Sequence, residues 1–213
     1  MQITERTMQY TKRCMESITI HLFLFFAFAM PGERLKGGMV MQVNLMDVRL
    51  DKRRLPYVVH EVVGEYAGEK EVRIDNPEIA VQMLNEVFHM KDFAEERVYV
   101  ILLSGSGKVI SVAEISRGII DCALVGIREI MQRVLLSNAA RVILAHNHLG
   151  ASEAPSPSSD DRVLTENLQR ACKLMRIGFC DHIIIEGEQY FSFNREWKKT
   201  NVNRQEMKEE IRI

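Results

Sequence analysis

Two kinds of hydrophobic spacing alternate along the last two thirds of the chain, and they predict helices that alternate with strands. Asn76-Pro77 is typical of a helix start, and the apolar residues at helical spacing that follow it predict a helix from about 77 to 90. A continuous apolar run at 98–103, a glycine-rich turn at 104–107 and a second run at 109–115 predict a β-hairpin.

The alternation continues toward the carboxyl terminus. Helical spacing over about 127–140 leads into a short apolar strand at 141–145. After a polar loop at 149–158, an amphipathic helix is predicted up to Gly178, and a final hairpin is predicted across Gly187. Because strands and helices alternate over about 100 residues, we predict an α/β fold with a mixed sheet flanked by helices.

The first third of the chain has no such regular pattern. Short alternating pieces between residues 41 and 74 predict short strands or an extended arm. The most apolar run, at 17–30, follows Lys12-Arg13 and has the layout of a secretory signal, but its dozen or so apolar residues fall short of the about 20 that span a membrane. Because Met39 and Met41 offer later starts, we favour the alternative that this run is a translated upstream region.

The length of 213 residues allows one domain of about 100–150 residues with a shorter flanking region. We therefore expect four parts: an apolar leader over 1–38, an N-terminal arm over 39–74, a compact domain over 75–197 and a charged tail over 198–213.

The net charge and the cysteine pattern argue against several classes of function. With 28 Lys and Arg against 29 Asp and Glu, the net charge is -1, so the chain lacks the overall basic character of a nucleic-acid binder. Its four cysteines form no C-x-x-C pair, which argues against a redox motif or a cysteine zinc site and favours buried thiols in a reducing compartment. We expect a cytoplasmic protein without a stable membrane span.

Candidate chemistry lies directly after the predicted strand at 141–145. Residues i and i+2 of an extended backbone point to the same side, so His146 and His148 can converge on one point. Asp161, at the start of the next helix, would complete a two-histidine, one-aspartate set with an open fourth position, as in a catalytic zinc site. Each piece also has a plainer interpretation: histidines that bond loop carbonyls, and Ser158-x-x-Asp161 as a helix capping box.

Taken in order, the strand, His146-Asn147-His148, a polar loop, Pro157-Ser158 with Asp161, and a helix resemble the RadC-like branch of the JAB/JAMM (MPN+) metalloprotease family. Asp181-His182 and the apolar strand after it resemble a further element of that family. The resemblance covers roughly 75–197 and implies a JAB/MPN fold, which is similar to that of cytidine deaminases.

For the site, the resemblance implies that His146, His148 and Asp161 bind Zn²⁺ and that Ser158 donates to the oxyanion of a tetrahedral intermediate. The implied activity is hydrolysis of peptide or isopeptide bonds in a protein or peptide substrate that the sequence does not identify. The alternative is a non-catalytic or DNA-repair-associated RadC-like module, which the near-neutral charge does not support. A zinc deaminase is disfavoured because its H-x-E and P-C-x-x-C motifs are absent.

The resemblance also implies a general base ahead of the first strand of the compact domain, which would activate the metal-bound water. Glu95 and Glu96 both lie there, and alignment of the strand lengths selects Glu96, with Glu95 as the competitor.

The chain departs from the family in the loop after the second histidine. Leu149-Gly150-Ala151 replaces Pro-Ser-Gly, and the spacer to Ser158 is two residues longer. An alternative register restores the spacing but places Ser159 at the position of the acid, where it would be a poor zinc ligand. We therefore select Asp161, with Asp160 as the less favoured substitute.

Overall fold

The computed structural model describes residues 39–68, 73–118, 125–150 and 154–199. The predicted leader with its apolar run at 17–30, and the tail beyond residue 199, lie outside the described residues. Among the residues described, no helix combines the length and the apolar character needed to cross a bilayer.

The described residues form seven strands, four α-helices and a short 3₁₀ helix at Met90–Asp92. Their order is β1 (Met39–Leu50), β2 (Pro56–Gly68), α1 (Pro77–Phe88), β3 (Arg97–Leu103), β4 (Val109–Arg117), α2 (Ile127–Leu136), β5 (Arg141–Asn147), α3 (Ser159–Leu174), β6 (Gly178–Glu186), β7 (Gln189–Ser192) and α4 (193–199). The strands make one sheet in the order β2-β1-β4-β3-β5-β6-β7, in which β1/β4 and β5/β6 are parallel and the other neighbours antiparallel. The predicted α/β fold with a mixed sheet is confirmed.

The helix start predicted at Asn76-Pro77 is present. The Asn76 side chain accepts a hydrogen bond from the Ile79 amide at 3.0 Å and satisfies one of the free N–H groups of the first turn. α1 then buries Ala80, Met83 and Leu84 against one face of the sheet.

Two helices end earlier than their hydrophobic spacing suggests. α2 stops at Leu136 rather than near 140, because Asn138 has a left-handed backbone with φ 53°. α3 stops at Leu174 rather than at Gly178, because Arg176 takes the left-handed position with φ 56° that glycine usually occupies at such an end.

The segment predicted as short strands or an arm instead forms the two longest strands. The charge run after β1 is a turn, in which Asp51 Oδ1 accepts from the backbone amides of Arg53 and Leu55 at 2.8 Å each. β1 pairs along its length with β2 and, on its other side, meets β4 in parallel at Leu45. The hairpin is therefore an edge of the sheet.

Side chains of the central strands alternate between two buried layers. On one face, odd-numbered residues of β5 such as Ile143 pack in the cluster that includes α1. On the other, even-numbered residues such as Val142 and Leu144 pack with α2 and α3. This alternation sets the direction of the two residues that follow Leu144 at even positions, His146 and His148.

Candidate metal centre

The two histidines predicted to converge do so on the α3 side of the sheet. His146 lies near the end of β5, and His148 directly follows the strand, where its amide donates to the Ile185 carbonyl at 2.8 Å. The Nε2 atoms of the two rings are 3.0 Å apart. The His146 side chain is 1% exposed and that of His148 is 21% exposed, so the centre is reached from the His148 side.

Asp161 completes the group from the first turn of α3. Its Oδ1 lies 3.2 Å from His146 Nε2, and its Oδ2 lies 3.5 Å from His148 Nε2. The Asp161 side chain is buried, whereas Asp160, the less favoured ligand, is exposed. The structure thus brings His146, His148 and Asp161 together and leaves Asp160 outside the group.

Ser158 forms the capping box with Asp161. Its hydroxyl and its backbone amide donate to Asp161 Oδ2 at 2.6 and 2.8 Å, and the Asp161 amide donates to Ser158 Oγ at 3.1 Å. These bonds fix the orientation of the carboxylate and leave Oδ1 directed at His146. They also occupy the hydroxyl proton of Ser158, so the donation to an oxyanion stays a prediction.

Electrostatics favour a negative carboxylate between the rings. Burial raises the pKa of the Asp161 carboxyl, but hydrogen bonding to His146, His148 and Ser158 outweighs burial and holds the pKa well below its usual range. The hydrogen bond to Asp161 raises the pKa of His148 against the opposing effect of burial, and the charges of Glu96 and Glu186 add to this rise.

The spacing of these donors fits a zinc ion. Tetrahedral ligands at about 2.0–2.1 Å from zinc lie about 3.3 Å from one another. The two Nε2 atoms are 3.0 Å apart, and the carboxylate approaches them with different oxygens, Oδ1 at 3.2 Å from His146 and Oδ2 at 3.5 Å from His148. Two imidazoles and one carboxylate are a donor set that zinc commonly takes, and the set leaves a fourth position for water or substrate.

A third histidine, His182 of β6, lies against His146 and was not among the predicted site residues. Its Nε2 is 2.9 Å from His146 Nδ1, and its ring stacks on Phe193 with the planes 6° apart. His146, Asp161 and His182 are all buried and offer donor atoms close enough to hold a metal ion. Burial lowers the pKa of His182 well below its usual value, and the neighbouring His146 adds to the effect. The signal in the sequence is the resemblance of Asp181-His182 and the apolar strand after it to an element of the family, which assigns no site role to the histidine.

The two candidate bases ahead of β3 have different surroundings. Glu95 forms ion pairs with Arg97 and Arg117 at 2.7 Å each, and the hydrogen bond from Arg97 is the main reason why the pKa of Glu95 is lowered. Glu96 is half-buried, and its charge acts on His148.

Asn147, between the two histidines, holds the backbone on both sides of Glu96. Its Oδ1 accepts from the Arg97 amide at 2.8 Å, and its Nδ2 donates to the Glu95 carbonyl at 3.1 Å. Because Asn147 is 2% exposed, both bonds lie in a site with little water to replace them. The strand that carries His146 therefore also fixes the start of β3, which Glu96 directly precedes.

The sequence of this chain matches a family model and curated proteins. A family model described as RadC-like JAB domain matches residues 74–199. A UPF0758 protein of Clostridium acetobutylicum is 34% identical over 131 residues, which cover 62% of this chain and 56% of that protein. A UPF0758 protein of Actinobacillus pleuropneumoniae serotype 5b is 37% identical over 123 residues, with 58% and 54% covered. The chain spans about half the length of the curated relatives it matches.

Proposed function

This chain belongs to the RadC-like JAB domain family, and we propose on that basis that it is a zinc-dependent hydrolase of peptide or isopeptide bonds. The observation that carries the proposal is the convergence of His146 Nε2, His148 Nε2 and the Asp161 carboxylate within 3.0 to 3.5 Å of one another. Buried imidazoles and carboxylates need partners for their polar atoms, and a metal ion at this point would be a partner for all three groups at once.

Some residues of the centre would bind the metal, and Glu96 would transfer a proton. When bound, zinc would supply a Lewis acid that polarises a substrate carbonyl and lowers the pKa of water at the fourth position. Glu96 would accept a proton at its carboxylate and pass it to the leaving amine. Asp161 would bring one negative charge to the ion and the histidines none, which preserves about one positive charge at the centre.

Glu96 is favoured over Glu95 because Glu95 already pairs with two guanidinium groups. Those pairs stabilise the ionised form of Glu95 and make it a weaker base, as its lowered pKa indicates. Glu96 instead acts on His148, at the exposed side of the centre where a substrate would arrive.

Ser158 would donate its hydroxyl to the oxyanion that forms during attack. To do so, it must exchange the 2.6 Å hydrogen bond to Asp161 Oδ2, while the bond from its backbone amide stays in place. Its exposed position at the start of α3 leaves the hydroxyl within reach of substrate.

A cytoplasmic location is part of the same proposal. Cys172 and Cys180, the cysteines within the described ranges, are both free thiols, as expected in a reducing compartment.

Metal analysis joined to a hydrolysis assay tests the proposal. We expect about one zinc per purified chain, and we expect His146→Ala to lose it. Glu96→Gln should retain zinc while hydrolysis falls by at least about 10²-fold. The substrates are two matched peptide pools, one with linear bonds and one with isopeptide bonds to lysine side chains.

Glu95→Gln is the matched control, because it changes the adjacent carboxylate in the same way. It should keep both zinc and hydrolysis. Absence of stoichiometric zinc, with no difference between the wild type and His146→Ala, would end the proposal. Loss of zinc in Glu96→Gln would instead make Glu96 a ligand.

A further inference from the structure

The two nitrogens of the His146 ring face two different sets of partners. Nε2 faces His148 Nε2 at 3.0 Å and Asp161 Oδ1 at 3.2 Å, while Nδ1 faces His182 Nε2 at 2.9 Å. A neutral imidazole carries a proton on only one nitrogen, and only the other nitrogen has a lone pair for a metal. The function of His146 therefore depends on which nitrogen holds the proton.

A buried chain of hydrogen bonds that begins at Thr165 determines which nitrogen of His146 holds the proton. Thr165, one turn after Asp161 in α3, has its Oγ1 2.5 Å from the Asp161 carbonyl oxygen. A carbonyl oxygen can only accept, so the Thr165 hydroxyl must be the donor, as is common for threonine in helices. The single hydroxyl proton of Thr165 is therefore committed to Asp161.

This commitment determines the tautomer of His182. His182 Nδ1 lies 2.6 Å from Thr165 Oγ1, and because that oxygen has no proton left to give, Nδ1 must donate. His182 is 0% exposed, where a charged ring would be costly, so it is neutral and its Nε2 is an acceptor. The close partner of that acceptor is His146 Nδ1.

The proton of His146 is determined in turn by its hydrogen bond to His182. Since His182 Nε2 accepts, His146 Nδ1 must donate to it. In the neutral ring, the form that a metal binds, His146 Nε2 then carries the lone pair. We propose that Thr165 and His182 are positioning residues, which hold His146 in the Nδ1–H tautomer and direct its Nε2 lone pair at the centre formed with His148 and Asp161. That the lone pair meets zinc rests on the proposed function, whereas the tautomer itself does not.

His182 lies outside the set of residues that would bind the metal. The two nitrogens of one imidazole point away from each other across the ring, so a partner at Nδ1 stands on the opposite side from an ion at Nε2. His182 approaches Nδ1, and His148 and Asp161 approach Nε2. The set of His146, Asp161 and His182 therefore describes a ligand pair with an outer partner, the usual arrangement for a metal-binding histidine.

Nitrogen NMR of the metal-free full chain with ¹⁵N-labelled histidine tests the tautomer directly. Long-range proton–nitrogen spectra distinguish protonated from unprotonated ring nitrogens, and single substitutions assign the six histidines. We expect the proton on Nδ1 in both His146 and His182. A His146 Nδ1 that carries no proton would overturn the proposal. Because this measurement uses the wild type, it does not depend on any variant being able to fold.

Zinc titration of the same sample separates the two hypotheses. We expect Nε2 of His146 and His148 to shift on coordination, while Nε2 of His182 keeps the signature of a hydrogen-bond acceptor. Coordination at His182 would overturn this proposal and leave a zinc site standing. If no zinc binds but both tautomers are as expected, the positioning inference is supported and the proposed function fails.

Two variants of Thr165 test the relay itself. Thr165→Val keeps the shape and removes the acceptor, so the protons of His182 and His146 should redistribute and zinc affinity should fall about 10–100-fold in a chelator competition. Thr165→Ser keeps the hydroxyl and should retain the wild-type tautomers and an affinity within about threefold. Unchanged tautomers in a folded Thr165→Val protein would show that the hydroxyl has only a packing role, against the proposal.

Discussion

At the scale of single residues, His148 links the protonation of the centre to the stability of the metal-free protein. Its hydrogen bond to Asp161 is the main cause of its raised pKa, with burial opposing and the charges of Asp161, Glu96 and Glu186 adding to the rise. Because the pKa is higher in the folded than in the unfolded protein, the folded state binds the proton more tightly. The stabilisation is fully present below pH about 6.5 and is lost as the pH rises through the folded value.

We therefore expect metal-free protein to be less stable at pH 8 than at pH 6 on account of this residue. Urea unfolding of the wild type and of His148→Gln at both pH values checks this, since the variant lacks the titrating ring and should show a smaller pH dependence. An equal pH dependence in the two proteins would show that the His148–Asp161 contact does not stabilise the fold.

The sequence predicts the convergence of His146 and His148 because the two residues are close along the chain. It does not predict His182 as part of the centre, because His182 is distant along the chain. His146 and His148 are two positions apart on one strand, so their convergence follows from the backbone alone. His182 reaches the centre because β6 pairs in parallel with β5, with Leu144 opposite His182. That register depends on the packed sheet, and no pattern within β6 encodes it.

At the scale of secondary-structure elements, the N-caps of α3 and α1 have the same local chemistry and different surroundings. Ser158 Oγ accepts from the Asp161 amide at 3.1 Å at the start of α3, and Asn76 Oδ1 accepts from the Ile79 amide at 3.0 Å at the start of α1. Only Ser158 also donates to a side chain of the candidate centre, at Asp161 Oδ2.

Replacing either cap should cost about 1 kcal/mol of unfolding free energy, because each substitution to alanine leaves a first-turn amide without its partner. Ser158→Ala should in addition weaken zinc binding, since the Asp161 carboxylate loses its 2.6 Å hydrogen bond, whereas Asn76→Ala should leave zinc affinity unchanged. Denaturant unfolding and chelator competition on both variants measure the two effects. Equal zinc affinities in the two variants would show that Ser158 caps the helix and does not support zinc binding.

Helices and hairpins of the compact domain follow from the sequence because each is built on contacts close along the chain. The start of α1, the β3–β4 hairpin and the β6–β7 hairpin all occur where periodicity and turn residues predict them. The ends of α2 and α3 do not, because non-glycine residues Asn138 and Arg176 adopt the left-handed backbone there. Propensity alone assigns that conformation to glycine.

At the scale of the whole molecule, the β1–β2 hairpin is the feature that the sequence pattern predicted least well. Its pairing with β4 is parallel and joins residues far apart in the chain, as in Leu45 opposite Val112. Such a contact leaves no local periodic signal. The hairpin also lies outside residues 74–199, the part that the family model matches.

Burial nevertheless indicates that the hairpin belongs to the same folding unit as the rest of the sheet. Val43 is 0% exposed and packs in the layer that includes α1, while Met46 is 2% exposed and packs in the layer that includes α2 and α3. β1 therefore contributes to both faces of the core. Without it, β4 would present an unpaired edge, which natural sheets avoid.

A pair of substitutions on the two strands tests this organisation. Met46→Ala should lower the free energy of unfolding by about 2–4 kcal/mol, because it leaves a cavity between β1 and the helices on that face. Val62→Ala on β2, at a position 53% exposed, removes a side chain of the same hairpin and should change stability by less than about 0.5 kcal/mol. Urea unfolding followed by both circular dichroism and Trp197 fluorescence should give one coincident transition in each protein. Two results would contradict this organisation: a loss of unfolding free energy in Met46→Ala no larger than in Val62→Ala, or unfolding of the hairpin in a separate earlier step. Either would show that β1 and β2 are not part of the cooperative core, which would then end at β4.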